Sequence, residues 1–164
     1  MKTSALYLRT VVFGVNDSLV STVGFLAGIS VAGVPRATII LTGVIYALVE
    51  AFSMAMGDFL SEESAEEYES KSDVNDRPSV LAGIFMFLSS VLAALIPLMP
   101  YLLFSGVTAL FVSAAASITG LFIVGMLSAR FSRLPVVWRG ARMALLGGAA
   151  ILMGVAAGLL MPVG

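Results

Sequence analysis

Five stretches of this chain are apolar for about 20 residues or more, the length a helix needs to cross the hydrocarbon core of a bilayer. They cover roughly residues 8–33, 37–60, 79–98, 101–128 and 141–162. Composition points the same way. The chain is 59% hydrophobic and 12% charged, against about 45–50% and about 25% in a soluble globular domain. The sequence is therefore read as an all-α integral membrane protein: a single domain over residues 1–164 with five transmembrane helices. The first stretch continues past Asp17 to Ala32 with no clear small-residue cleavage site after a short core. It is expected to be a retained span and not a cleaved leader.

The breakers lie between the stretches. "GVPR" (33–36) separates the first two spans, "PLMPY" (97–101) the third and fourth, and "RFSRLPVVWR" (130–139) the fourth and fifth. The one sizeable polar segment, "SEESAEEYESKSDVNDRP" (61–78), is a short acidic loop. Orientation follows from lysine and arginine. With five spans, Lys2, Arg9, Lys71, Arg77, Arg130, Arg133, Arg139 and Arg142 share one side and Arg36 stands on the other. This places the N-terminus in the cytoplasm and the C-terminus outside or in a lumen. Tyr101 and Trp138 are expected near the membrane interfaces.

The chain has no cysteine and no histidine. That removes disulfides, thiolate metal sites, cysteine nucleophiles, the commonest metal ligand and the usual general base. No nucleophile and base pair can be assembled, so the chain is not read as an enzyme. No nucleic-acid partner is implied, and no fixed cofactor.

Eight of the ten acidic residues lie between Asp58 and Asp76. The other two, Asp17 and Glu50, fall inside apolar segments, where an ionisable residue costs at least about 2.5–3.5 kcal/mol to insert. In the first span Asp17, Ser21, Gly24 and Gly28 are spaced by 4, 3 and 4 and share a face. Asn16 lies beside Asp17. Gly24 with Gly28, and Gly14 with Ser18, are small-x-x-x-small pairs that let helix backbones approach. In the second span Tyr46, Glu50, Met54 and Asp58 recur every four residues as one stripe, with Ser53 and Gly57 beside it. Met56 points elsewhere, about 200° around the helix from Met54.

The tight turn at 33–36 makes the first two spans an antiparallel hairpin. Mirroring about the turn puts Asp17, about 14 Å into the membrane at 1.5 Å per residue, level with about residue 52. Glu50, Ser53 and Met54 then share its depth. Two buried carboxylates with no cation beside them should be protonated or metal-bound. A mixed carboxylate and thioether set suits a borderline divalent ion such as Fe²⁺, with Mn²⁺ or Co²⁺ possible. Glu62, Glu63, Glu66, Glu67 and Glu69 follow at helical spacing. They are read as a helix continuing out of the membrane and as an acidic antechamber that concentrates cations.

"FGVNDSLVSTVGFLAG" (13–28) and "EAFSMAMGDFLS" (50–61) resemble the paired signatures of the vacuolar iron transporter family. The resemblance extends to the five-span layout with a cytoplasmic N-terminus. It implies a homodimer that moves Fe²⁺, sometimes Mn²⁺, out of the cytoplasm in exchange for protons. The implied pathway lies at the dimer interface, between the first and second spans of both subunits. The family's intramembrane aspartate maps onto Asp17 and its methionine onto Met54. Ser18 replaces the usual glycine, and Asp58-Phe59 the usual Glu-Tyr. The long glutamate-rich metal-capturing domain of some members has no room in 61–78, so this is a short form without it. Asp17, Glu50, Met54 and Asp58 are the expected pathway ligands, supported by Asn16, Ser21, Tyr46 and Ser53. Gly14, Gly24, Gly28 and Gly57 are expected in helix packing or the dimer contact, and a cysteine at Gly24 or Gly28 would then cross-link two subunits. The host membrane is the cell (inner) membrane in a prokaryote, a vacuolar or organelle membrane in a eukaryote. Two rival readings are an uncoupled cation channel and a non-transporting membrane sensor or anchor for a ferritin-like partner.

Overall fold

Each apolar stretch forms one helix. In the computed structural model these are α1 (Thr3–Val31), α2 (Arg36–Ser70), α3 (Arg77–Leu103), α4 (Gly106–Ser132) and α5 (Val136–Leu160). The structure describes residues 3–70, 77–132 and 135–163, with side chains at 6–68, 77–130 and 135–163. Lys2, Lys71, Arg133 and the Glu69 side chain lie outside the described residues. All five helices are long and apolar enough to cross a membrane. The described residues contain no strand.

The helix ends differ from the apolar limits, for reasons that lie in the chemistry of each end. α2 runs on to Ser70. Its glutamates fall at helical spacing, and glutamate is a good helix former, so the helix continues through the first part of the acidic segment to 70, as that spacing predicts. α5 begins at Val136, directly after Pro135, and not at 141. Arg139 and Arg142 interrupt the apolar run without interrupting the helix.

The expected break at 97–101 is not there. Pro97 and Pro100 lie inside α3, and the chain turns at Phe104 and Ser105. Prolines are tolerated in spanning helices where neighbouring helices pack around them, and here Pro97 and Pro100 are buried in the bundle. Two neighbours bond carbonyls of the same stretch: the Ser113 hydroxyl donates to the Pro97 carbonyl at 2.7 Å, and Arg36 donates to the carbonyls of Tyr101 (2.7 Å) and Leu102 (2.6 Å) at the helix end. The arginine also places a positive charge on the C-terminal end of the α3 dipole.

The α1–α2 turn closes as a Schellman motif. Gly33 takes φ 86°, the Val34 amide reaches the Ile29 carbonyl at 3.2 Å, and the Gly33 amide reaches Ser30 at 3.3 Å. Gly33 can hold that angle because it lacks a Cβ.

α1 is the central helix. It packs chiefly against α3 and α5, less against α4 and least against α2, while α2 leans on α3 and α4 on α5. The expected α1–α2 hairpin is therefore present in the chain order but splayed in space. The small-residue face of α1 explains this. A Cβ on Gly24 would lie 2.9 Å from the Ala150 carbonyl oxygen, and one on Gly28 2.8 Å from that of Gly154. Both glycines are buried against α5 of the same chain. They are helix-packing residues, and the expectation that a cysteine at either would bridge two subunits is corrected. Gly14 meets Ser89, Met86 and Ser90 of α3, whereas among the described residues a Cβ on Gly57 would meet open space.

Two apolar clusters hold the bundle. One joins Leu26, Ile39, Leu98, Tyr101 and Ala109, the other Leu19, Ala93 and Leu121. Tyr101 belongs to the first: it is 2% exposed, and its hydroxyl donates to the Leu26 carbonyl at 3.4 Å. Tyr101 lies two residues before the end of α3, with its ring turned into the bundle. Trp138 is exposed.

Candidate functional site

The splay between α1 and α2 leaves an open cleft of about 550 Å³. Its polar lining comes from one side of α2: Thr42, Tyr46, Glu50 and Ser53, with Met54 at the same level. The spacing of four between Tyr46, Glu50 and Met54 puts them on consecutive turns. From α1, Phe25 stacks on Tyr46 with ring centres 4.5 Å apart and planes 11° apart. That contact fixes the tyrosine so that its hydroxyl donates to Glu50 Oε1 at 3.1 Å. Ser21 sits against both Tyr46 and Glu50, and Asp17 is near enough for its charge to act on both. The Ser21 hydroxyl also donates to the Asp17 carbonyl one turn back, at 2.8 Å.

The structure thus brings Asp17, Ser21, Tyr46 and Glu50 together, with Ser53 and Met54 at the same cleft. Glu50 Oε2 is buried without a hydrogen-bond partner among the described residues, as is the Asn16 amide oxygen. A buried carboxylate oxygen left unpaired carries a desolvation penalty unless a proton or cation meets it. Met56 lies elsewhere, as the helical arithmetic requires. It lines a separate apolar groove of about 410 Å³ between α2 and α3, with Phe52, Phe59 and Phe87.

Asp58 continues the stripe toward the end of the bundle that carries the α1 N-terminus. It is occupied there: Thr10 donates to its Oδ2 at 3.1 Å, and Arg9 lies 3.9 Å from its Oδ1. Arg9 also contacts Glu62. Glu63 and Glu66 are partly buried beyond it, and Glu67 is exposed.

Three contributors escaped the sequence reading. Ser90 of α3 is fully buried and lies 3.9 Å from the Met54 sulfur, toward which its hydroxyl points. Thr10 stands seven residues before Asp17, two turns along one face, a spacing that was visible. Arg9 was counted only as a charge setting topology.

Among the described residues no group of three or more histidine, cysteine, aspartate or glutamate side chains converges to hold a metal ion. Asp17, Glu50 and Met54 within one chain supply fewer donors than the six that hard divalent ions favour. A second copy of the open cleft would double the set.

A scan against protein families matches the chain to the VIT family in two stretches, residues 8–79 and 71–159. They overlap in the connection between α2 and α3. None of the curated proteins compared with the chain matches it. The matched stretches contain both signature segments, all the cleft residues and nearly the whole five-helix layout; the chain belongs to the VIT family, the vacuolar iron transporters, and is a multi-pass membrane protein of metal-ion transport.

Proposed function

We propose that this protein exports Fe²⁺, and secondarily Mn²⁺ or Co²⁺, from the cytoplasm in exchange for protons, as a homodimer whose ion path runs through the α1–α2 clefts of both subunits. The observation that carries this reading is Glu50 in an open cleft within the spans, one of its oxygens unpartnered, with Met54 in the same lining and Asp17 of α1 nearby. Carboxylates bind metal when deprotonated, so each ion taken up displaces protons, and reprotonation from the far side returns the site. Met54 adds a thioether, which favours a borderline ion over a hard one. A site of this kind releases its ion because it binds weakly, without imidazole or thiolate.

Purified protein in liposomes tests it. Fe²⁺ flux is expected to be several-fold faster with a transmembrane proton gradient than without, and to be accompanied by counter-movement of protons. Flux indifferent to the gradient would make the protein an uncoupled channel. Metal binding without flux would leave a sensor or an anchor.

A further inference from the structure

Ser18, Thr22, Leu26 and Ser30 follow one another at spacings of four along α1, as one stripe of the helix. Ser18 and Thr22 are fully buried, and neither hydroxyl has a hydrogen-bond partner among the described residues. At the level of Leu26 the polar group comes from α3: the buried Tyr101 hydroxyl donates to the Leu26 carbonyl at 3.4 Å and also sits against Ser30. Ser30 and Tyr101 then line a cavity of about 200 Å³ that reaches the exposed Arg36 and Ser105. At the other end stands Ser90 of α3, fully buried. Its hydroxyl lies 2.9 Å from where a Cβ on Gly14, one turn before Ser18, would be, and 3.9 Å from the Met54 sulfur. The stripe thus runs from the cleft to the end of the bundle opposite the α1 N-terminus.

α3 and α4 add polar groups at the same level. Gly14 meets Ser89 and Ser90, Leu19 packs with Ala93, and Leu26 with Leu98, so Ser18 and Thr22 fall level with residues 90–98. There Pro97 has no amide to give to the Ala93 carbonyl, which loses its helical partner. On α4, Ser113 bonds Pro97 and Leu121 packs with Leu19. Ser117, between them, is fully buried and also unpartnered. Buried hydroxyls and carbonyls without partners are costly in a dry interior, and such groups hold ordered water. The spacing suits water. Successive positions along the stripe lie about 6 Å apart, the span of two hydrogen bonds of about 2.8 Å, so one water bridges each gap. We propose that the stripe holds a file of buried waters, and that the proton moving against the metal ion passes along it, from the cavity at Ser30 to the cleft. Each water or hydroxyl takes a proton on its oxygen and hands its own to the next. The file is unchanged after each passage, and the proton ends on the carboxylates of Asp17 and Glu50 once the ion has left. The proton's role rests on the antiport reading, but the waters can be tested without flux.

Thr22→Val keeps the shape of the side chain and removes its hydroxyl. Taking an unpaired hydroxyl out of a dry interior stabilises a protein, whereas taking away one bonded to water leaves that water short of a partner. Thr22→Val is therefore expected to lower the melting temperature of the purified full chain in detergent by about 2–4 °C. An unchanged or raised melting temperature means a dry stripe and overturns the proposal. In liposomes, proton-driven flux through Thr22→Val should fall several-fold at saturating Fe²⁺, with the half-saturating concentration unmoved, because no metal ligand is altered. Thr22→Ser keeps the hydroxyl and should transport like the wild type. Tyr101→Phe breaks the next link and should lower the maximal flux in the same way. Undiminished flux in Thr22→Val or Tyr101→Phe overturns the proposal, as does an equal loss in Thr22→Ser, which traces the effect to packing. Should Thr22→Val not purify folded, Tyr101→Phe carries the flux test and Ser117→Ala the melting test, with the same outcomes. Flux in the wild type that ignores the proton gradient would defeat the antiport reading instead, while a lowered melting temperature in Thr22→Val would leave the file of waters standing.

Discussion

Glu50 and Asp17 show how a side chain can be legible in sequence while its surroundings are not. A carboxylate in an apolar run is conspicuous because bilayers exclude charge. Its partners are not conspicuous: Ser90 is one hydroxyl among many in an apolar helix, and only packing brings it to the Met54 sulfur. Arg9 was misjudged for a related reason. Eight basic residues on one side satisfied a topology rule, so none of them seemed to need a local role. Asp17→Asn and Glu50→Gln preserve shape and remove charge, and each is expected to abolish Fe²⁺ flux in liposomes while the protein elutes as before on size exclusion. Near wild-type flux in either variant would remove that residue from the path. Met54→Leu keeps volume and apolar character, at a packing cost under about 1.5 kcal/mol. It should slow Fe²⁺ and Co²⁺ more than Mn²⁺. Met56→Leu, in the α2–α3 groove away from the cleft, is the control and should transport like wild type. Equal losses in both would trace the effect to packing and not to the thioether.

Helices were readable as elements, because nothing but a helix satisfies its own backbone over 20 apolar residues in lipid. Their ends were less so. Hydropathy marks where the membrane ends, while the helix continues for as long as its residues tolerate it, as α2 does through its glutamates to Ser70. The prolines of α3 misled because both are buried where neighbouring helices pack around them, and helices in lipid tolerate proline in such places. The glycines announced close packing but not the partner. That partner is α5, and the contact is tight enough to test: a Cβ on Gly154 would fall onto the Gly24 carbonyl oxygen. Gly154→Ala is therefore expected to lower stability by about 1–3 kcal/mol, visible as a lower melting temperature in detergent. Gly148→Ala on the same helix meets open space and should be neutral or slightly stabilising, since alanine is the better helix former. If both melt alike, the α1–α5 contact is looser than the structure has it.

For the molecule as a whole, the sequence carried the class and the span count. It could not carry the arrangement, because one helix face can meet any of four others. The exposed side of α2 is where a second copy is expected. Ile45, Val49 and Phe52 are 52%, 64% and 61% exposed beside the polar cleft, and the donor set within one chain is incomplete. Val49→Cys should form a disulfide-linked dimer in native membranes under mild oxidation. Gly28→Cys should not, because α5 covers it. A cross-link confined to the outer face of α5, for example at Leu152, would place the dimer contact away from the cleft.

The backbone contact between α1 and α5 also has a mechanical side. Two helices that touch carbonyl to glycine cannot slide by a fraction of a turn without driving an oxygen into a Cα, so α1 and α5 behave as one stiff strut. α2 meets that strut through long side chains and open space, and it leans instead on α3. A change of shape that exposes Glu50 first to one side of the membrane and then to the other thus has one compliant joint available. It is the α1–α2 seam, because α3 packs on α1 as extensively as α5 does and belongs to the same post.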